Sequence, residues 1–190
     1  MFYAMGARMI IRKETNWDYE KVKEVIQSAF PFRLELGHDF NEWVVVDAVR
    51  NSNSYINELS LVAEVNGTVA GHVMFTPLKI KDEANSFDSL ALAPVSVHND
   101  FQNKGIGTKL VSAGIMTAKE LGYQSIIVLG DYKYYSRFGF QPASKWHIGL
   151  DGDFNCEHLS AMELVDNGLE GISGNVEYCP EFYNQKGELI

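Results

Sequence analysis

The sequence predicts one α/β domain of the α+β kind, and three stretches carry that expectation. Asn66-Gly67 lies between Leu59–Val65 and Thr68–Leu78, two runs rich in valine, threonine and aromatics. Asn-Gly between such runs is the strongest short-range signal for an antiparallel hairpin. Leu90–Val97 reads as an apolar strand that passes through a polar turn and then through Gly105 and Gly107 into a helix. In that helix Ile106, Leu110, Gly114, Ala118 and Leu121 recur at helical spacing, with Gly122 placed to cap the end. Ser125–Leu129 is a short apolar run of strand length, so both of its faces should be buried. At 190 residues the chain suffices for one sizeable core.

Taken in order, Met1–Arg8 reads as a disordered tail or vector remnant and Met9–Arg12 as the first strand. Thr15-Asn16-Trp17-Asp18 has the form of a capping box, followed by Val22, Val25, Ile26 and Ala29 on one helical face, with Pro31 closing the helix. A second helix is expected within Phe32–Asn53, where Phe40, Val44 and Ala48 share a face. The β-branched run Val44-Val45-Val46 lowers its propensity. Asn66-Gly67-Thr68 is formally a glycosylation sequon but reads as the hairpin turn. The central strand spans Phe87–Val97 with Pro94 inside it. Proline cannot donate to a ladder, so a bulge or a break in pairing is expected there. Asp131–Phe138 reads as a short helix capped by Asp131 and ended by Gly139. Leu159–Val165 and Gly174–Tyr178 read as late strands. Ala143–Ile190 otherwise carries little chemistry.

Composition narrows the function. The chain is 46% hydrophobic and 22% charged, as expected of a soluble globular protein. No apolar run approaches the ~18 residues of a membrane span, and no secretory signal opens the chain. A net charge of −9 argues against nucleic acid as a partner and suits a cationic amine. Two cysteines, Cys156 and Cys179, imply no disulfide framework, so the cytoplasm is the expected location.

The strand–turn–helix stretch is the chemical centre. Glycines let a ligand approach the backbone, and the free N–H groups and dipole at a helix start attract phosphate. Two familiar phosphate loops are excluded. A dinucleotide fingerprint needs a third glycine where Leu110 stands, and no stretch supplies a P-loop. The cradle residues are then Gln102, Asn103, Lys104, Gly105, Ile106, Gly107 and Thr108. Val97, Gln102, Gly105 and Gly107 resemble motif A of the GNAT superfamily of N-acetyltransferases, V-x-P-x-x-[QR]-x-x-G-x-[GA], with Asn99 where proline is common. Downstream, Tyr135 to Phe140 resembles motif B of that superfamily, which ends Y-x-x-x-G-F. The wider run Gly130-Asp131-Tyr132-Lys133-Tyr134-Tyr135-Ser136-Arg137-Phe138-Gly139-Phe140 is similar to a bacterial subgroup of these proteins.

The resemblance implies a mixed, mostly antiparallel sheet of about seven strands, with helices on both faces and a splayed central strand pair. It implies acetyl-CoA as co-substrate and direct acetyl transfer to a primary amine of a small molecule or peptide. The carrier's pantetheine arm would lie along the backbone of Val95, Ser96 and Val97, with Tyr135 protonating the departing thiolate. A phenol of pKa ~10 suits that task. Where many relatives carry an asparagine seven residues before the tyrosine, this chain has Val128. The alternatives are a non-catalytic acyl-CoA sensor and a transferase using another acyl donor. A homodimer is also compatible with the sequence. The general base stays open among Glu64, Asp88, Ser96 and His98. Tyr132 and Tyr134 are alternates to Tyr135. The resemblance implies that acceptor choice resides in about Phe30–Asn53 and in the late hairpin; Phe30, Phe32, Phe40 and Trp43 either line a pocket or pack in the core. No metal is expected. The loop starting at Asp151 resembles a calcium loop but has Met162 where the twelfth-position glutamate belongs, and Cys156-Glu157-His158 lacks a partner pair.

Overall fold

Asn66 and Gly67 take φ of 50° and 84°, the left-handed pair through which a two-residue turn follows the twist of its strands. They join β2 (Ser60–Val65) to β3 (Thr68–Lys81), with Val65 opposite Thr68. The computed structural model describes residues 8–30 and 42–189. Around this hairpin it places β1 (Met9–Lys13), α1 (Tyr19–Ala29), α2 (Glu42–Arg50), β4 (Ser86–Val97), α3 (Ile106–Glu120), β5 (Ser125–Leu129) and the short α4 (Tyr132–Tyr135). The chain continues through β6 (Gln141–Pro142), β7 (Ile148–Gly149), β8 (Leu159–Glu163) and β9 (Gly174–Tyr178). Arg8, expected in the tail, is tied to the turn, its amide donating to Asn66 Oδ1 at 3.0 Å.

One sheet carries the strands in the order β1-β2-β3-β4-β5-β8-β6, with β9 pairing β3 and β7. Pairing is antiparallel except at β4–β5 and β7–β9. β2 covers only the first half of β3, so β9 continues along the same edge beside Leu78–Lys81. The two-residue strands β6 and β7 carry no periodicity that a sequence pattern could reveal, and they raise the strand number above the expected seven.

Helices cover both faces. α1 and α2 set Val22, Ile26, Val45, Val46 and Val49 on a core with Met74, Leu78, Ile80 and Ala91. α3 sets Ile106, Leu110, Val111 and Ala118 on the other, with Val73, Phe75, Leu90, Leu92 and Ile126. The expected helix within Phe32–Asn53 forms over Glu42–Arg50, because burial of Val45, Val46 and Val49 outweighs the small propensity cost of β-branching. Pro31, Phe32 and Phe40 lie outside the described residues. Leu121, expected on the apolar face of α3, is instead 45% exposed, since the helix has already ended at Glu120. The capping box forms as expected: the Asp18 carboxylate accepts the Thr15 amide and hydroxyl, each at 2.8 Å. No helix among the described residues is long and apolar enough to cross a membrane.

Candidate active site

Two features of β4 create an opening in the sheet. Val73 pairs with Val95, but Phe75 pairs with Leu92, so β4 carries one extra residue at Ala93–Pro94. That is the bulge expected at Pro94. On its other side β4 pairs with β5 only at Leu90–Ile126 and Ala91–Ile127. Beyond those pairs the strands separate, and Ala93–Val97 has no partner on the β5 side.

The unpaired edge has a defined polarity. His98 donates its amide to Ala70 O at 2.9 Å. Backbone direction alternates along an antiparallel ladder, so Ser96 also turns its polar groups toward β3. Val95 and Val97 therefore turn theirs toward the gap. One of these, the Val97 carbonyl, accepts Gln102 Nε2 at 3.3 Å, and the same amide nitrogen reaches Asn99 Oδ1 at 2.9 Å. Gln102 thus braces the turn with its side chain.

The turn then delivers the start of α3 to the mouth of the gap. Gly105 caps the helix at φ 76°, where a side chain would be strained although the space is open. Lys109 makes the first helical bond, to Gly105 O at 3.1 Å. Among the described residues, the amides of Asn103, Lys104, Gly105, Ile106, Gly107 and Thr108 donate no hydrogen bond. The Lys104 ammonium is engaged by Asp100 O at 2.7 Å. What this turn exposes is backbone, at the positive end of a fifteen-residue helix, an arrangement that could hold an anion.

α4 closes the mouth from the other side. Asp131 caps it as expected, accepting the Lys133 amide at 2.9 Å. Tyr134 reaches across to α3: a Cβ added at Gly107 would sit 2.9 Å from the Tyr134 hydroxyl. The Arg137 guanidinium lies over the Tyr134 ring at 4.6 Å. Tertiary structure thus joins the two sequence motifs through Tyr134, which the sequence offered only as an alternate. Tyr135 lies beside it, the two rings meeting edge-on at 5.0 Å, and packs in the same α3-side core. Its ring rests on Gly130, where an added Cβ would lie 2.6 Å from Cε2, and meets Phe140 edge-on at 5.8 Å. Its hydroxyl has no partner among the described residues. Burial pushes its pKa up to about 12, so the phenol keeps its proton at neutral pH.

Three of the four base candidates are otherwise engaged. Glu64 binds Arg12 at 3.0 Å, Asp88 pairs with Lys79 far down β4, and His98 Nδ1 accepts the Asp100 amide at 3.3 Å. Only Ser96 remains, buried on the α1 face with its Oγ unpartnered. Opposite Ser96 stands His72 of β3, which sequence reading passed over. A histidine inside Ala70-Gly71-His72-Val73-Met74 was the available signal, because a strand buried on both faces has no ordinary use for one. Toward the acceptor region, Phe30 and Trp43 pack on the α1–α2 core. Trp43 also lines a cavity of about 230 Å³ with Tyr19, Lys23 and Arg50.

Comparison with known proteins agrees with this fold. Residues 19–140 match the family model described as the acetyltransferase (GNAT) family. The Escherichia coli K12 uncharacterized N-acetyltransferase YhbS is 29% identical over 177 residues, covering 92% of this chain and 98% of that protein. YjhQ from the same organism, also named an N-acetyltransferase, is 33% identical over 127 residues, covering 67% and 66%. Among solved structures, E. coli YhbS in complex with CoA superposes with a TM-score of 0.81 at 26% identity, covering 96% of each chain. A GNAT family acetyltransferase from Brucella melitensis in complex with acetyl-CoA has a TM-score of 0.73 at 31% identity, covering 92% of this chain and 98% of that one.

Proposed function

The chain belongs to the GNAT family of N-acetyltransferases, and from that premise we propose that it moves the acetyl group of acetyl-CoA directly to a primary amine of a small molecule or peptide. The observation that carries this reading is the run of unpartnered amides from Asn103 to Thr108, set beside a strand edge that has lost its neighbour. Diphosphate fits the amides and a pantetheine arm fits the edge. The CoA complex of YhbS and the acetyl-CoA complex from Brucella support the choice of carrier.

The chain's own groups then divide the chemistry. Amides of Val95 and Val97 face the gap and stabilise charge developing on the thioester oxygen. The neutral amine nitrogen forms its bond to the carbonyl carbon, the carbon–sulfur bond breaks, Tyr135 supplies a proton to the leaving sulfur, and the proton shed by the nitrogen returns through solvent to the tyrosinate. Gly107 preserves the contact between the cradle and Tyr134, while Gly105 preserves the turn.

The test begins with binding. Acetyl-CoA at ~100 times its dissociation constant should add ~2.7 kcal/mol to stability, read as a raised melting temperature. Acetyl-pantetheine, lacking the diphosphate, should raise it far less. Equal shifts from the two compounds, or none from acetyl-CoA, reject the cradle. Thiol release from acetyl-CoA over a panel of amines and peptides then identifies the acceptor class.

A further inference from the structure

Charge is spread unevenly along this acidic chain. Residues 101–140 hold five lysines and arginines against two acids, although the whole carries a net charge of −9. Two arginines outside that stretch are committed to carboxylates, Arg12 to Asp18 and Glu64, and Arg50 to Glu14. Arg137, in the turn that follows α4, meets an aromatic ring instead, and no carboxylate pairs with it among the described residues. Its guanidinium lies 4.6 Å from the centre of the Tyr134 ring. That ring is fixed from two further directions, edge-on to Tyr135 at 5.0 Å and to Phe138 at 5.6 Å. The hydroxyl end of the same ring reaches Gly107 in the first turn of α3. Tyr134 is thus a fixed platform, with one end against the cradle and an exposed cation on its face. The lysines nearby are placed differently. Lys104 is turned back onto Asp100 O at 2.7 Å, and the ammonium groups of Lys109 and Lys133 have no partner among the described residues.

We propose that Arg137, held on Tyr134, binds the ribose 3′-phosphate of CoA and makes the protein select CoA over dephospho-CoA. The inference rests on the carrier assignment above. The amides from Asn103 to Thr108 suit the diphosphate, which leaves the third phosphate of the carrier without a partner. That group is a monoester with a charge of about −1.5 to −2 at neutral pH. A guanidinium offers it paired N–H donors in one plane and keeps its own charge throughout the neutral range. Ring and cation attract without a conventional hydrogen bond, so those donors stay available. Holding the cation on the ring also removes part of the cost of ordering a long side chain. A fixed arginine therefore outweighs the freer Lys109 and Lys133 as the anchor.

The test compares two carriers that differ by this one phosphate. By calorimetry, wild-type protein should bind CoA about 10-fold or more tightly than dephospho-CoA, and the preference should shrink as salt is raised. Arg137→Gln alters an exposed side chain, so the fold should survive. It should weaken CoA roughly 10-fold while leaving dephospho-CoA within about twofold. Arg137→Lys should recover only part of the preference, because the charge returns without the planar fork. Equal weakening of both carriers by Arg137→Gln, or an unchanged CoA affinity, overturns the assignment of Arg137 and leaves the cradle standing. A wild type that binds the two carriers alike does the same. If the wild type binds neither carrier, the carrier reading itself fails and takes this inference with it.

Discussion

Tyr134 and Tyr135 are neighbours with different contacts, the first reaching Gly107 and the second resting on Gly130. The resemblance to the family motif pointed to Tyr135 as the acid, and its protonated, unpartnered hydroxyl suits that role. Tyr135→Phe removes only this hydroxyl. It should lower kcat roughly 100-fold or more while acetyl-CoA affinity stays nearly constant, as steady-state kinetics and calorimetry would report. An unchanged kcat would transfer the role to another group. Tyr134 was illegible as a cradle residue because its reach to Gly107 crosses from α4 to α3, between residues 27 positions apart in the chain. His72 was hidden for the same reason. Its contacts Ser60 and Glu14, and the facing Ser96, lie on three other strands or strand ends.

At the scale of elements, α3 sits close to the sheet because Gly114 has no side chain. A Cβ there would fall 2.1 Å from Phe75 Cε2, inside a core where Phe75 is fully buried. Alanine at this position gains about 1 kcal/mol in helix propensity but must displace an aromatic ring, a cost of about 1–3 kcal/mol. The overlap should win. Gly114→Ala should lower the denaturant midpoint, and Phe75→Leu in the same background should recover part of the loss. Stabilisation by Gly114→Ala alone would show that the ring moves freely. The cradle rides on this packing, since the start of α3 is positioned by the rest of the helix. β4 shows how one residue shapes an element: the extra residue at Ala93–Pro94 was readable from Pro94, but the loss of pairing to β5 was not readable from either strand alone.

For the whole molecule, acid should act in two separate windows. His72 has its pKa lowered from 6.5 to about 4 by burial, partly offset by Glu14 and reinforced by Arg50. The unfolded chain therefore binds a proton that the folded chain refuses, and stability falls as pH drops from 6.5 to 4, by about 3 kcal/mol. Asp18 is held near 2 by Arg12, whose guanidinium grips it at 2.7 and 2.8 Å, so its contribution is lost only as pH falls below 3.8. Urea unfolding across pH 7 to 3 should show the first loss, and His72→Gln should flatten it. A wild-type curve already flat between pH 6.5 and 4 would mean that His72 is not buried in neutral form.

The sequence by itself determined the local units: the Asn66-Gly67 hairpin, the Thr15–Asp18 cap, the bulge at Pro94, and a helix whose start was free for phosphate. Each depends on residues a few positions apart, where turn geometry and periodicity act directly. Only the tertiary structure decided what those units face. It set β5 to leave β4 after two pairs, brought Tyr134 to Gly107, and aligned Glu14, Ser60, His72 and Ser96 beneath α1 and α2. Such contacts depend on strand order and register, which arise when separate apolar faces are buried together, and no single segment encodes them.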